Sequence, residues 1–338
     1  MLDPAHLAGG VLLLAMIAYV VTGGADFGGG VWELFARGPR GSEQVQALRT
    51  AIAPIWEANH VWLILVVVLL FVCFPTAFAA IMVALHVPVT LLLVGIVLRG
   101  AGFVFHAYAA GDRAVERHAV SWFRAASAIA PLMLGIVAGA IAAGQIRVNA
   151  TTGAVTMLPG SAWLQPFPLL VGGMTLGLCT FLAAVYMTVE TEGALQEDFR
   201  RRALLAGITV GLVALPAALV AEASAPMLGT PLLHSTWSMP FHVGTGLVAV
   251  GALAAIVRRH FRLARSLAIG QTALILIGWG MAQYPHVLAP DLDLTTAAAP
   301  RPVLVATLLV LGIGTLLLVP AFAWLYRVFK GTRPVHRA

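Results

Sequence analysis

Ile52–Phe74 reads IAPIWEANHVWLILVVVLLFVCF. Its second half, Leu65–Phe74, carries no polar side chain except Cys73, yet Glu57, Asn59 and His60 fall within four positions of one another, between Trp56 and Trp62. An apolar run of this length can cross ~30 Å of hydrocarbon as a helix. The question it raises is why a membrane helix should carry an acid, an amide and an imidazole.

The rest of the chain supports the membrane reading. Of 338 residues, 60% are hydrophobic and only 10% charged, with a mean hydropathy of +0.93. A soluble fold of this length cannot bury that much apolar side chain. Hydropathy predicts nine spans, at 8–34, 50–74, 78–110, 120–145, 162–189, 203–222, 240–257, 266–284 and 302–329. The fold class is therefore all-α, a polytopic membrane protein forming a single membrane domain over 1–338. The first and third spans exceed the required length and must tilt or emerge from the bilayer. The longest connections, 146–161 and 285–301, are too short to hold a soluble domain. APLMLGIVAGAIAAGQI (130–146) is echoed by GQTALILIGWGMAQYPHV (270–287). Two four-helix units, 1–145 and 162–284, plus an extra helix at 302–329 would account for the echo; so would the chance likeness of small-residue helices.

The net charge of +6 follows the distribution of arginine rather than a nucleic-acid surface. Arg37, Arg40, Arg49, Arg113, Arg117, Arg200, Arg201, Arg202, Arg258, Arg259, Arg262, Arg265, Arg327, Lys330, Arg333 and Arg337 all fall on one side of the nine spans; only Arg147 and Arg301 fall on the other. By the positive-inside rule the N-terminus is outside and the C-terminus cytoplasmic, as an odd number of spans requires. MLDPAHLAGG lacks a basic region and a cleavage site, so the first span is read as a retained helix. Cys73 and Cys179 both lie in apolar segments, which supports neither a disulfide framework nor a thiolate metal site. No P-loop, HExxH, GxSxG or CxxC pattern is present, so soluble catalytic chemistry is not indicated.

Ionisable residues at membrane depth are functional candidates by default. Asp26 lies about 12 Å from the cytoplasmic end of the first span, Glu57 about 10 Å from the cytoplasmic start of the second and Arg99 about 16 Å from the cytoplasmic end of the third, at 1.5 Å rise per residue. Three helices thus place charges in the same half of the bilayer. Two readings stand: an ion-pair cluster in which Arg99 neutralises one or both acids, or a proton-conducting site open to the cytoplasm. The glycines of GGADFGGG (23–30) around Asp26 fit close helix packing, a hydrated break beside the carboxylate, or both. His60, His86 and His106 do not share a depth, so haem ligation by this chain is not expected. Glu190 and Glu192 close the fifth span near the headgroups, and Glu222 ends the sixth on the outer side.

GADFGGG (24–30) followed by IAPIWEANHVWLI (52–64) resembles subunit II of the cytochrome bd-type quinol oxidases, including the cyanide-insensitive branch. VLRGAGFVFHAY (97–108), YMTVETEGAL (186–195) and GWGMAQYPHV (278–287) are similar to that family in the same order. The resemblance implies two four-helix bundles with one peripheral helix. It also implies a partner, the haem-bearing subunit I, with a small single-helix subunit as a further associate, in the bacterial cytoplasmic membrane. Haems b and d, or b-type variants, belong to subunit I; no metal is implied here, and a structural quinone is an optional ligand. The complex oxidises quinol and reduces dioxygen to water with protons from the cytoplasm. On this resemblance Glu57, Asp26, His60 and Asn59 form the proton path, with Arg99 as charge partner and Trp56, Trp62, Trp279, Gln283 and Tyr284 as structural motif residues. Many members carry aspartate where Glu57 stands, and some place an acid where this chain has Gly23. The alternative function is a stand-alone proton- or ion-coupled membrane transporter.

Overall fold

The computed structural model describes residues 3–52, 56–107, 113–149, 152–156 and 162–330. The side chains of Trp56, His106, Arg113 and Arg117, and the tail positions Arg333 and Arg337, lie outside what is described. The fold is all-α: α1 Pro4–Leu34, α2 Gly41–Ile52, α3 Trp56–Cys73, α4 Pro75–Ala84, α5 His86–Ala107, α6 Arg113–Ala142, α7 Pro166–Glu190, α8 Gly193–Ser224, α9 Pro226–His234, α10 Ser238–Val257, α11 Phe261–Gln283 and α12 Arg301–Lys330. Among the described residues eight of these helices are individually long and apolar enough to cross a membrane, and α3 with α4 satisfies the same test jointly. The chain is a multi-pass membrane protein.

The second and third spans differ from the hydropathy reading. The run 50–74 is two helices, with α2 ending at Ile52 and α3 ending at Cys73; the run 78–110 is likewise divided, into α4 and α5. Pro75 is the cause of the sharper break. A residue preceding proline is pushed out of the helical region, and Phe74 sits at φ −134°, ψ 58°. The α3 and α4 axes consequently meet at 115°. The hydropathy reading separates its second and third spans at this same place; the break that it does not show is the one at Leu85, which divides 78–110 into α4 and α5. Ala225, before Pro226, ends α8 in the same manner, at φ −142°, ψ 58°.

Helix α1 is the hub, packing on α3, α6, α7 and α11. Around it α5 pairs with α6, α7 with α8, and α10 with α11, while α12 touches only α1 and α3 among its strong contacts. Leu205, Ile208, Leu212, Leu215 and Leu219 of α8 are all exposed and recur at three- and four-residue intervals, one stripe of a helix. They form a lipid-facing surface.

The glycine-rich stretch of α1 is helical throughout, so it serves packing rather than a break. A β-carbon at Gly28 would fall on the Cys179 carbonyl of α7, and one at Gly30 on Ser127 of α6. At Gly10 of the same helix a β-carbon would meet nothing within 4 Å. Glycine to alanine in a helix interior ordinarily stabilises by ~1 kcal/mol. Gly10→Ala is expected to raise or preserve thermal stability, whereas Gly28→Ala is expected to lower it by about 1–3 kcal/mol through overpacking. A thermal-shift comparison of the two purified variants checks this, and a gain in Gly28→Ala would contradict the close α1–α7 contact.

Both connections read as plain loops contain a minimal antiparallel hairpin: β1 Arg147–Val148 with β2 Val155–Thr156, and β3 His286–Leu288 with β4 Leu292–Asp293. Arg147 holds Asp291 through two bonds of 2.8 Å, and the Val148 amide donates to the same carboxylate at 2.8 Å. The two hairpins are thereby latched together, and the Arg147 guanidinium keeps the Asp291 carboxyl below its usual range. Asp293, accepting from Thr295 and Thr296, is lowered to about 2. The arginine-rich end is tied too. Arg40 donates to both oxygens of Asp198 at 2.8 and 2.6 Å, and Gln44 adds a bond of 2.9 Å.

Candidate functional site

Asp26 sits in the last third of α1, 3% exposed. Its carboxylate accepts from the Asn59 amide of α3 at 2.7 Å, and the same amide donates to the Thr22 carbonyl at 3.3 Å. Arg99 of α5, 2% exposed, reaches the Asp26 backbone carbonyl at 3.1 Å. Its guanidinium lies 5.0 Å from the ring centre of Phe27 and 5.4 Å from that of Phe123 on α6. A cation over two aromatic faces and beside a carboxylate is compensated on several sides. Three of the residues singled out by sequence, Asp26, Asn59 and Arg99, therefore meet in one buried cluster formed by α1, α3 and α5.

Glu57 does not join them. Positions two apart on an α-helix are rotated by ~200°, so a helix that turns Asn59 inward turns Glu57 away. Asn59 is fully buried, as are Leu69 and Cys73 further along the helix, while Glu57 is exposed and in line with Val61, Ile64, Val68 and Phe71. His60 lies between these faces, half-buried, with its ring 6.1 Å from Tyr19 and 5.9 Å from Phe27. The site thus has a closed side at Asp26 and an open side at Glu57.

The aromatic motif residues are spread out. Trp62 stacks on Phe322 of α12 at 5.6 Å and 20°, fastening the peripheral helix to α3. Trp279 and Gln283 are both on α11; the Trp279 indole N–H and the Gln283 amide nitrogen are buried with no hydrogen-bond partner among the described residues. Tyr284 caps α11 and is exposed, with its ring 5.7 Å from His6. His86 is turned to the Val83 carbonyl at 3.0 Å, a local contact at the start of α5.

Sequence reading missed Glu33. It is 1% exposed and receives two bonds of 3.0 Å from Arg49, with Arg124 at 3.6 Å. Arg49 was read only as a loop charge, yet it closes this pair. The signal was available in the spacing: Tyr19, Asp26 and Glu33 recur every seven residues, which keeps them on one helix face. All three are buried.

Comparison with known proteins agrees with the motifs. A family model described as cytochrome bd terminal oxidase subunit II matches residues 5–329. The chain is 29% identical over 202 residues to cytochrome bd-I ubiquinol oxidase subunit 2 of Escherichia coli, a match covering 59% of this chain and 51% of that protein. It therefore spans about half the length of the first curated relatives it matches. A putative cytochrome bd menaquinol oxidase subunit II of Bacillus subtilis is 23% identical over 330 residues, covering 92% of this chain and 91% of that one. A solved bd oxidase from Geobacillus thermodenitrificans contains a chain of the same fold, with a TM-score of 0.82 at 22% identity, covering 98% of this chain and 100% of that one. Together with Asp26, Asn59 and Arg99 meeting across the helices that carry the matching motifs, these findings lead to one conclusion: the chain belongs to the cytochrome bd terminal oxidase subunit II family.

Proposed function

We propose that this chain is the haem-free subunit II of a bd-type quinol oxidase. It supports a haem-bearing subunit I and supplies a cytoplasm-facing proton path for quinol-driven reduction of dioxygen to water. The observation that carries this reading is Glu57 on an exposed apolar stripe of α3 with Val61, Ile64, Val68 and Phe71. A charged group at membrane depth facing lipid costs roughly 2.5–3.5 kcal/mol on insertion scales. A partner that covers the stripe and receives protons from Glu57 removes that cost. Asp26 then holds protons on the closed side, Asn59 orients its carboxylate, and His60 lies between the two faces.

The haems, b and d or b-type variants, supply the electron transfer and oxygen chemistry when bound in subunit I. In the bacterial cytoplasmic membrane the chain spans nine times, α3 with α4 counting once, with the N-terminus outside. Its halves, 1–145 and 162–284, form two four-helix bundles, and 302–329 is peripheral. A structural quinone fits an apolar cavity of about 570 Å³ lined by α7, α8, α9, α10 and α11. The Thr245 hydroxyl, the Gln271 amide oxygen and the Trp279 indole nitrogen all line it, and each is buried without a hydrogen-bond partner among the described residues. Donors and acceptors of that kind suit a ring bearing carbonyls. Lipid and a small single-helix subunit complete the assembly.

Expressed alone in membranes, the chain is expected to consume no oxygen with quinol, and activity is expected to return on co-expression with subunit I. Oxygen consumption by the isolated chain would defeat the proposal. Substrate flux in liposomes containing this chain alone would favour the stand-alone transporter.

A further inference from the structure

The end of α1, one face of α2 and a turn of α6 border an open pocket of about 810 Å³, and the Asp26 cluster has no part in it. Three arginines line it: Arg37 just after α1, Arg49 on α2 and Arg124 on α6. Ser42, Gln46 and Thr50 join them, at four-residue intervals that form one stripe of α2. Gln44 and Leu48, on the opposite side of that helix, are buried, so α2 turns its polar stripe to the pocket. Among the described residues that line it, none is acidic. Glu33, 1% exposed, takes two bonds of 3.0 Å from Arg49 and stands 3.6 Å from the Arg124 Nε. That nitrogen is buried and has no hydrogen-bond partner among the described residues. One carboxylate thus serves two guanidiniums, and exposed Arg37 brings a third. Glu43 is exposed on α2 but does not line the pocket, and Arg40 is engaged by Asp198.

Its place in the membrane selects the ligand. The apolar part of α6 begins at His118, so Arg124 stands about 9 Å inside it at 1.5 Å per residue. Beside Arg124, Trp122, Ala125 and Ile129 are exposed and recur at three- and four-residue intervals, a lipid-facing stripe. A soluble anion needs no such flank; a lipid does. Guanidinium forks match phosphate oxygens in pairs, and basic pockets between membrane helices on the cytoplasmic side suit anionic headgroups. We propose that this pocket holds the headgroup phosphate of an anionic phospholipid of the cytoplasmic leaflet. Arg37 and Arg124 are its cationic contacts, Ser42 and Gln46 its neutral donors, and the acyl chains run along the α6 stripe. Helix α2 packs on α1 and α7 and has no comparable contact with α6, so the lipid bridges two helices that protein contacts leave apart. The name of the leaflet rests on the orientation proposed above; the binding does not.

The test uses the assembled oxidase, stripped of lipid in a neutral detergent and titrated with dioleoyl phosphatidylglycerol or, separately, dioleoyl phosphatidylcholine. Native mass spectrometry reads what is retained. Phosphatidylglycerol is expected to be retained in preference, and Arg37→Gln to weaken that retention about fivefold, the scale of one arginine at an anionic lipid surface. Thr50→Glu, which sets a carboxylate in the pocket, is expected to weaken it at least as much. Arg301→Gln, outside the pocket, is expected to leave it unchanged. Arg37 and Thr50 are both exposed, so neither change disturbs the contacts of Glu33. Ser42→Cys is expected to react with a water-soluble maleimide in the stripped oxidase and to be protected by phosphatidylglycerol; the native Cys73 and Cys179 are buried. Equal retention of the two lipids, or wild-type retention by both pocket variants, would overturn the proposal. Protection of Ser42→Cys by inorganic phosphate but not by phosphatidylglycerol would make the ligand a free anion and overturn it. Shielding of Ser42→Cys before any lipid is added would make the pocket a contact with another subunit, and overturn it as well. None of these readouts uses oxygen consumption, so the lipid site stands or falls separately from the proton path.

Discussion

Replacing Glu57 by glutamine is expected to lower quinol-driven oxygen reduction per haem by about tenfold or more, the scale of losing a positioned acid–base group, while the complex assembles with its haems. Glutamine keeps the length and most of the hydrogen-bonding capacity but cannot be reversibly protonated. Glu57 is exposed and two residues from buried Asn59, so the substitution leaves the Asp26 cluster intact and tests proton transfer apart from folding. Glu57→Asp is expected to retain part of the activity, since a carboxyl group survives and a water can bridge the missing methylene. Turnover normalised to haem decides the matter. A structural glutamate would show reduced yield or haem content with unchanged turnover per intact complex.

Arg99→Leu is expected to produce the largest loss of stability of any single change in the cluster. Removing one partner from a buried charge pair leaves the other uncompensated, at a cost of about 3–5 kcal/mol. Arg99 is enclosed, with Asp26, Phe27 and Phe123 around its guanidinium, and leucine fills part of the volume without replacing the charge. Lysine is expected to rescue poorly, because an ammonium lacks the planar face that lies over two rings. The decisive variant is the double substitution Arg99→Leu with Asp26→Asn. Removing the orphaned carboxylate should recover part of the lost thermal stability, whereas strictly additive losses would mean that Arg99 and Asp26 are not energetically coupled.

Several features were legible without any structure. The absence of charge over long apolar runs is a property summed along the chain, and it alone required an all-α membrane protein, since only helices and closed barrels satisfy backbone groups in lipid. Asp26, Asn59 and Arg99 could be nominated because polar groups at membrane depth are costly wherever they point. The break at Pro75 was also written in the sequence, through the restriction proline places on Phe74, and the boundary between the second and third hydropathy spans falls there.

Which way each side chain faces was decided only by tertiary structure. In a soluble helix the polar face identifies solvent and the apolar face the core. In a membrane helix both lipid and protein interior are apolar, so little contrast remains to distinguish them. Residues 61–73 of α3 are apolar on every side apart from Cys73; nothing in their order tells that Leu69 and Cys73 are buried while Ile64 and Phe71 are exposed. For the same reason the separation of Asn59 from Glu57 and the burial of Glu33 against Arg49 depend on which helices meet. The sequence by itself determined that charges lie within the membrane and on which helices; packing decided which of them are enclosed together and which one faces outward.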